Sequence, residues 1–470
     1  MEKTEKELSL SSFLTFDGWR IFFLGRAYPF LVAILVLFGN FTSLDYYVNF
    51  IITGLFVFAM IISDTVRPLF ITVCSYVYQI SIPHAPSYPT YSDFFFSGWR
   101  RFASVILIAF VVFAFVVFAA RNKIYRRIFC VDKRLLLSLF IFSFALIANG
   151  IFSDNWTYKN LIFGFLNTLV YFFLFLTVVC GFNKREKTKD LMQYFCYISL
   201  LLSAVIILEM LHLFMTVDGV FLNGAIVKDK VALGWGIWNI IGNSLATLIP
   251  VLFYRAMRGK GWFLYFTFAT LSYIFAVLSM SRNAFLFSTL AYFLCMVISC
   301  LRAENKKFFR IFFLAGVLFV SLFGIIFFGE IKLIFSDYFG RGFSDSGRFA
   351  LWRLAIETFL MSPLFGNGFY GFFTDAVFGY SSFPRMAHNT VFQLLSSMGI
   401  FGLVSYAWYR IETLKVIIKR PSLPKTMLGI SMLVFLLGSL LDNFVFNIHP
   451  ALYYTFALAI ACRLNLEKET

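Results

Sequence analysis

Apolar stretches alternate with short polar links along the whole chain. Runs of roughly 17 to 22 residues, the length that crosses the hydrocarbon core of a bilayer, lie near 27–43, 47–63, 102–120, 135–152, 160–182, 193–215, 239–256, 261–280, 283–301, 309–329, 390–409, 427–446 and 449–463. With the shorter candidate 68–82, the pattern predicts an all-α polytopic membrane protein of about 12 to 14 transmembrane helices. One polar interval is long, 331–389, and it is patterned. Asp345 or Ser346 can cap a helix from Arg348 to Leu360, along which Leu351, Trp352, Ala355, Ile356, Phe359 and Leu360 recur at helical spacing. Ser362, Pro363, Gly366, Gly368 and Gly371 then break the chain into turns. This predicts an amphipathic helix lying on the outer membrane surface or over the bundle.

Composition agrees with the pattern: 60% of residues are apolar, 14% are charged and the mean hydropathy is +0.82. The net charge of +16 changes the picture only through its distribution. Lys and Arg fall in short clusters between apolar runs, which the positive-inside rule explains and a nucleic-acid-binding module does not. Arg121 to Arg134, Lys184 to Lys189, Arg255 to Lys260, Arg302 to Arg310 and Arg410 to Lys425 are thereby assigned to the cytoplasm. Alternation then places 216–238, the tight link at Ser281 and Arg282, and 331–389 on the opposite side. The N-terminus is expected inside and lacks the features of a cleaved signal peptide, so the first membrane helix should drive insertion. Cys74, Cys130, Cys180, Cys196, Cys295, Cys300 and Cys462 show neither paired nor C-x-x-C spacing and read as small core hydrophobes.

Candidate chemistry gathers on the outer side. His388 and Asn389 stand where the long polar interval meets an apolar run, followed by Gly399 and Gly402, giving H-N-x9-G-x-x-G. Asn389 can cap the helix, and a histidine at a helix N-terminus tends toward the neutral ring that accepts a proton. Gly399 and Gly402 read as close-packing positions between membrane helices. Arg282 lies at the outer end of a tight hairpin, the wrong side for a topology-setting arginine; it either snorkels to the interface or marks a functional site. The long interval carries Lys332, Arg341, Arg348, Arg353 and Arg385. Arginine's planar fork suits phosphate, and an anion at the helix N-terminus would relieve the unfavourable position of Arg348; a solvated surface arginine is the plain alternative. His84 sits in a proline-punctuated turn, His212 suggests a helix-end pair with Glu209, and His449 a cap. No histidine pair has metal-ligand spacing and no nucleotide motif occurs, so neither metal nor cofactor is expected.

These residues resemble the O-antigen ligase and Wzy polymerase superfamily. The resemblance covers 236–446 and rests on several features together: Gly236-x-x-Asn239-x-x-Gly242-Asn243, Ser279-Met280-Ser281-Arg282 with R-x-x-x-L to Leu286, Gly347-Arg348 with Trp352, Pro363-Leu364-x-Gly366-x-Gly368, and the His388 string. It implies a bacterial inner-membrane glycosyltransferase of the C-type membrane fold, metal-independent and acting on the periplasmic face. Such an enzyme transfers an undecaprenyl-diphosphate-linked glycan to an acceptor hydroxyl. Catalytic roles would fall on His388, Arg282 and Arg348. Asn389, Arg341, Arg353 and Arg385 are candidates for substrate binding.

The expected organisation is an N-terminal helix bundle, 1–235, and a catalytic region, 236–464, with no separate soluble domain. Expected partners are the lipid-linked glycan, an acceptor glycan or lipid, membrane lipids and a chain-length regulator. Polymerisation of repeat units is the favoured activity, ligation of a finished glycan the alternative. A transporter or flippase is the rival of a different class. Transporters carry charged or broken-helix sites at mid-membrane, whereas charges within the predicted spans are few, chiefly Glu209 and Asp442 near their ends.

Overall fold

The computed structural model describes residues 16–42, 44–71, 100–154, 156–181, 187–222, 225–233, 235–326, 348–371 and 386–466. Lys332, Arg341, Arg385, His84 and Cys74 lie outside them. α1 Phe16–Leu24 precedes the first predicted apolar run; helices then form where the runs predict, α2 Ala27–Thr42, α3 Asp45–Ile62, α4 Arg100–Arg121, α5 Lys133–Ile147, α6 Tyr158–Cys180 and α7 Thr188–Thr216. After them come α8 Trp238–Ala256, α9 Trp262–Leu278, α10 Arg282–Arg302, α11 Lys306–Ile326, α12 Arg348–Met361, α13 Thr390–Ile418, α14 Leu423–Leu441 and α15 Ile448–Leu466.

The chain is a polytopic membrane protein. Among the described residues α6, α7, α10, α13 and α14 are each long and apolar enough to cross a membrane, and α1 with α2, bent by 67°, makes a sixth if counted as one broken span. Several of the other predicted spans, such as α3 and α9, are apolar helices too short for that test. Two helices form the centre. Every residue of α8 from Ile241 to Tyr254 and of α15 from His449 to Cys462 is buried, as expected of helices apolar on all sides. One apolar core draws on both halves of the chain: Phe70 stacks on Phe456 and Phe195 on Tyr453. By contrast α4 and α11 turn rows of large side chains outward, Phe102, Phe110 and Phe113 on one, Ile311, Leu314 and Phe319 on the other.

The segment between α7 and α8 departs from an all-helical picture. It forms two minimal antiparallel hairpins, β1 Phe221–Leu222 with β2 Ala225–Ile226 and β3 Ala232–Leu233 with β4 Gly236–Ile237. In the second, Ala232, Leu233 and Gly236 are buried along with Trp235, whose indole N–H donates to Glu209 at 2.8 Å. Glu209 also accepts from Asn40, and His212 stacks on Phe41 instead of pairing with Glu209.

Two expectations about α13 are corrected. Gly399 is not a simple packing glycine, because its φ of 64° and ψ of −162° break the helix. An added Cβ there would meet the Leu364 carbonyl carbon at 2.5 Å, so both conformation and space demand glycine. The groups freed by the break are satisfied by the turn that follows α12. The carbonyls of Ser396 and Ser397 accept from the N–H groups of Asn367 and Gly368, and the N–H groups of Ile400 and Phe401 donate to the carbonyls of Pro363 and Leu364, at 2.8 to 3.2 Å. The turn is seated in turn on the α5–α6 link: Ser153 Oγ donates to Asn367 Oδ1 at 2.7 Å, and Gly150 N donates to Phe365 O at 3.0 Å. A new helix segment therefore starts at Ile400. Arg410 lies about 15 Å along it at 1.5 Å per residue, deep in the bundle and away from the basic cluster to which the sequence pattern assigns it. Its guanidinium is buried among Tyr171, Tyr406, Tyr409, Phe435 and Tyr454.

Candidate active site

Four helix ends converge around His388. Asn239 occupies the first turn of α8, Ser281 caps α10, Asp442 closes α14 and His388 precedes α13. A continuous hydrogen-bonded chain joins them. Ser281 Oγ donates to Asn239 Oδ1 at 2.7 Å, Asn239 Nδ2 donates to Asp442 Oδ2 at 2.9 Å, and Asp442 Oδ1 lies 3.0 Å from His388 Nδ1. Ser281 Oγ also accepts from the Ala284 N–H, so the link fixes the start of α10, where Arg282 is the first residue.

Asp442 is largely buried, its side chain 13% exposed, whereas that of His388 is 41% exposed. Burial opposes the Asp442 carboxylate charge. The hydrogen bond and charge of His388, the N–H of Asn443 and the charge of Arg348 outweigh burial and hold its pKa below the usual carboxylate value. An ionised Asp442 accepts from His388 Nδ1–H and leaves Nε2 with its lone pair, the tautomer that the network assigns. Arg348 opens α12, the helix whose Trp352 reaches the peptide just before His388.

The backbone at His388 is unusual and heavily tied. Its φ of 50° lies in the left-handed region, which costs a side-chain-bearing residue on the order of 1 kcal/mol. Neighbouring contacts hold it there. Ala387 N–H donates to Gln393 Oε1 at 2.7 Å, and the Ala387 carbonyl accepts from Trp352 Nε1 at 2.9 Å. Trp352 also stacks on Phe392, with ring centroids 5.1 Å apart and 17° between planes. One helix, α12, thus carries Arg348 at its start and, one turn later, the indole that fixes the peptide before His388. Met280, just before Ser281, has a φ of 59°, so the two turns that present Arg282 and His388 share a left-handed residue.

The remaining candidates divide. Asn389 caps α13, its Oδ1 accepting from Val391 and Phe392 N–H while its Nδ2 donates to the Leu440 carbonyl at 2.8 Å. Its amide is spent on holding the site together. Arg353 is 83% exposed and pairs with Glu357 at 3.0 Å across one helical turn. Arg282 is exposed and makes no ion pair among the described residues. Asp442 and Asn239 were not on the sequence-based list of site residues, although both left a signal. Asp442 is a rare carboxylate at the end of an apolar run, and Asn239 lies in the glycine-asparagine motif that opens α8.

Residues 266–407 match the O-antigen ligase family, Wzy_C. The matched stretch contains Arg282, Arg348, Trp352 and His388, and it ends before Asp442. A region similar to the O-antigen ligase family therefore lies within this multi-pass membrane protein. Asn239 and Asp442 join that region from either side of it in sequence. A comparison with curated proteins found no match.

Proposed function

We propose that the protein is a bacterial glycan polymerase that transfers undecaprenyl-diphosphate-linked repeats to an acceptor sugar hydroxyl on the outer face of the inner membrane. The observation that carries this reading is the hydrogen-bonded chain from Ser281 to His388, which couples an oriented base to the helix end bearing Arg282. The acceptor hydroxyl oxygen attacks the anomeric carbon of the donor as the bond to the diphosphate oxygen breaks. His388 Nε2 takes the hydroxyl proton, and Asp442 supports the imidazolium that results. Arg282 and Arg348 stabilise the charge that develops on the departing diphosphate. In this reading residues 236–464 form the catalytic region, residues 1–235 support it, and neither metal nor nucleotide sugar takes part.

Ligation of a finished glycan to a lipid core is the second reading, favoured by the description of the matched family. Purified protein supplied with lipid-linked repeats separates the two: a ladder of products indicates polymerisation, and a single transfer to a supplied lipid acceptor indicates ligation. His388→Ala and Arg282→Ala should abolish either product while the protein remains folded. Movement of the donor across proteoliposomes with no new glycosidic bond would replace both readings with a transporter.

A further inference from the structure

At the end of the bundle opposite His388, a cavity of about 800 Å³ opens between the start of α5 and the ends of α6, α13 and α15. Its wall brings together two basic clusters that are distant in sequence, Lys133 and Arg134 from one, Lys415 and Lys419 from the other. Their convergence marks this as the end that the positive-inside rule assigns to the cytoplasm. Two carboxylates also line the cavity, and both are committed. Asp132 caps α5, accepting from the N–H groups of Arg134 and Leu135, and Glu412 pairs with Lys415 at 2.7 Å. Cationic charge is therefore in excess at the rim, and Lys133 and Arg134 make no ion pair among the described residues.

The floor has the opposite character. Leu135, Val179, Val416 and Leu466 face the cavity, and the one amide there, Asn465, is already used: its Oδ1 accepts from Lys425 Nζ and its Nδ2 donates to the Val416 carbonyl. A freely soluble anion would find cations but no polar floor. An anionic headgroup attached to acyl chains satisfies both parts, phosphate on the rim and glycerol and first methylenes on the floor.

We propose that this cavity binds the phosphate headgroup of an anionic phospholipid of the cytoplasmic leaflet, tying the ends of α5, α6, α13 and α15 together at the surface opposite the candidate active site. The proposal does not depend on the glycan-transfer reading. The test uses full-length protein in phosphatidylcholine nanodiscs, with phosphatidylglycerol as probe and binding read by native mass spectrometry. Phosphatidylglycerol should be retained in preference to phosphatidylcholine, and Lys133→Gln with Arg134→Gln should weaken its retention about five-fold per cation removed. Lys133→Arg with Arg134→Lys should keep it. Equal retention by the neutralised variant, no preference over phosphatidylcholine, or displacement of the lipid by millimolar inorganic phosphate would each overturn the proposal. A measurement on the unaltered protein guards against a variant that fails to fold. Phosphatidylglycerol should slow maleimide labelling of Cys130, an exposed thiol on the cavity wall, and unchanged labelling would count against the site.

Discussion

Asp442 Oδ1 lies 3.0 Å from His388 Nδ1, joining two residues that are 54 positions apart in the chain. Asp442→Asn keeps the shape but removes the charge, and it turns one NH2 group toward a donor, His388 Nδ1–H or Asn239 Nδ2. Glycan transfer should fall by about 10²- to 10⁴-fold in kcat, the range for a lost general base, with KM for the lipid-linked donor little changed. Steady-state kinetics check this, and a KM effect alone would remove Asp442 from the chemistry.

The pH dependence has a defined sign. The folded pKa of Asp442 lies below its ordinary value of 3.8, so its stabilising contribution is complete above that value and is lost as pH falls through the lower, folded one. His388 and Arg348 are the charged groups that face it. The difference in melting temperature between the unaltered protein and Asp442→Asn should be present at about pH 5 and shrink in stronger acid. Thermal melts from that pH downward provide the measurement.

Trp352→Phe deletes one hydrogen bond and preserves the stacked ring against Phe392. Stability should drop by only about 0.5–1.5 kcal/mol. Transfer should drop more than ten-fold, because the peptide that orients His388 is released and a misplacement of about 1 Å costs about 10² in rate. Equal losses in stability and rate would mean that Trp352 is only part of the packing.

Gly399→Ala should destabilise the protein by about 1–3 kcal/mol, the cost of a strained backbone conformation, with further loss from contact with Leu364. Gly54→Ala is the control, since nothing lies within 4 Å of a Cβ there and α3 is helical at that point. Its melting temperature should be unchanged or slightly raised.

Arg410→Lys tests the buried aromatic cage. The guanidinium carbon lies 4.5 Å from the ring centroids of both Tyr406 and Tyr454. A planar cation can lie against several rings at once and is weakly hydrated, whereas an ammonium retains its demand for water. The lysine variant should lose about 2 kcal/mol or more of stability, read as a lower melting temperature in detergent. Unchanged melting would show that the cage contributes no net energy.

How much of this was legible in the sequence follows from the range of each interaction. Helix positions depend on runs of adjacent residues, so the apolar pattern placed α2 to α11, α14 and α15 within a few residues of their ends and α13 at its start, while α13 continues past the predicted 409 to Ile418; helical spacing located α12. The His388 string and the two arginines were visible because helix caps, turns and chemically distinctive side chains are local. Four things were not visible. The hydrogen bonds from Ser281 through Asn239 and Asp442 to His388 join separate helix ends. Trp352 reaches the Ala387 carbonyl across 35 positions. The break at Gly399 is held by carbonyls and N–H groups of residues 363–368, and an isolated glycine in an apolar run looks the same whether it packs or breaks a helix. Arg410 reads as one more member of a basic cluster until that break fixes where the membrane helix starts. The sequence determined a many-helix membrane protein and offered His388, Arg282 and Arg348 as candidate site residues. The tertiary structure decided which of those groups meet, because a buried donor or acceptor takes whichever partner the packed helix ends bring within reach.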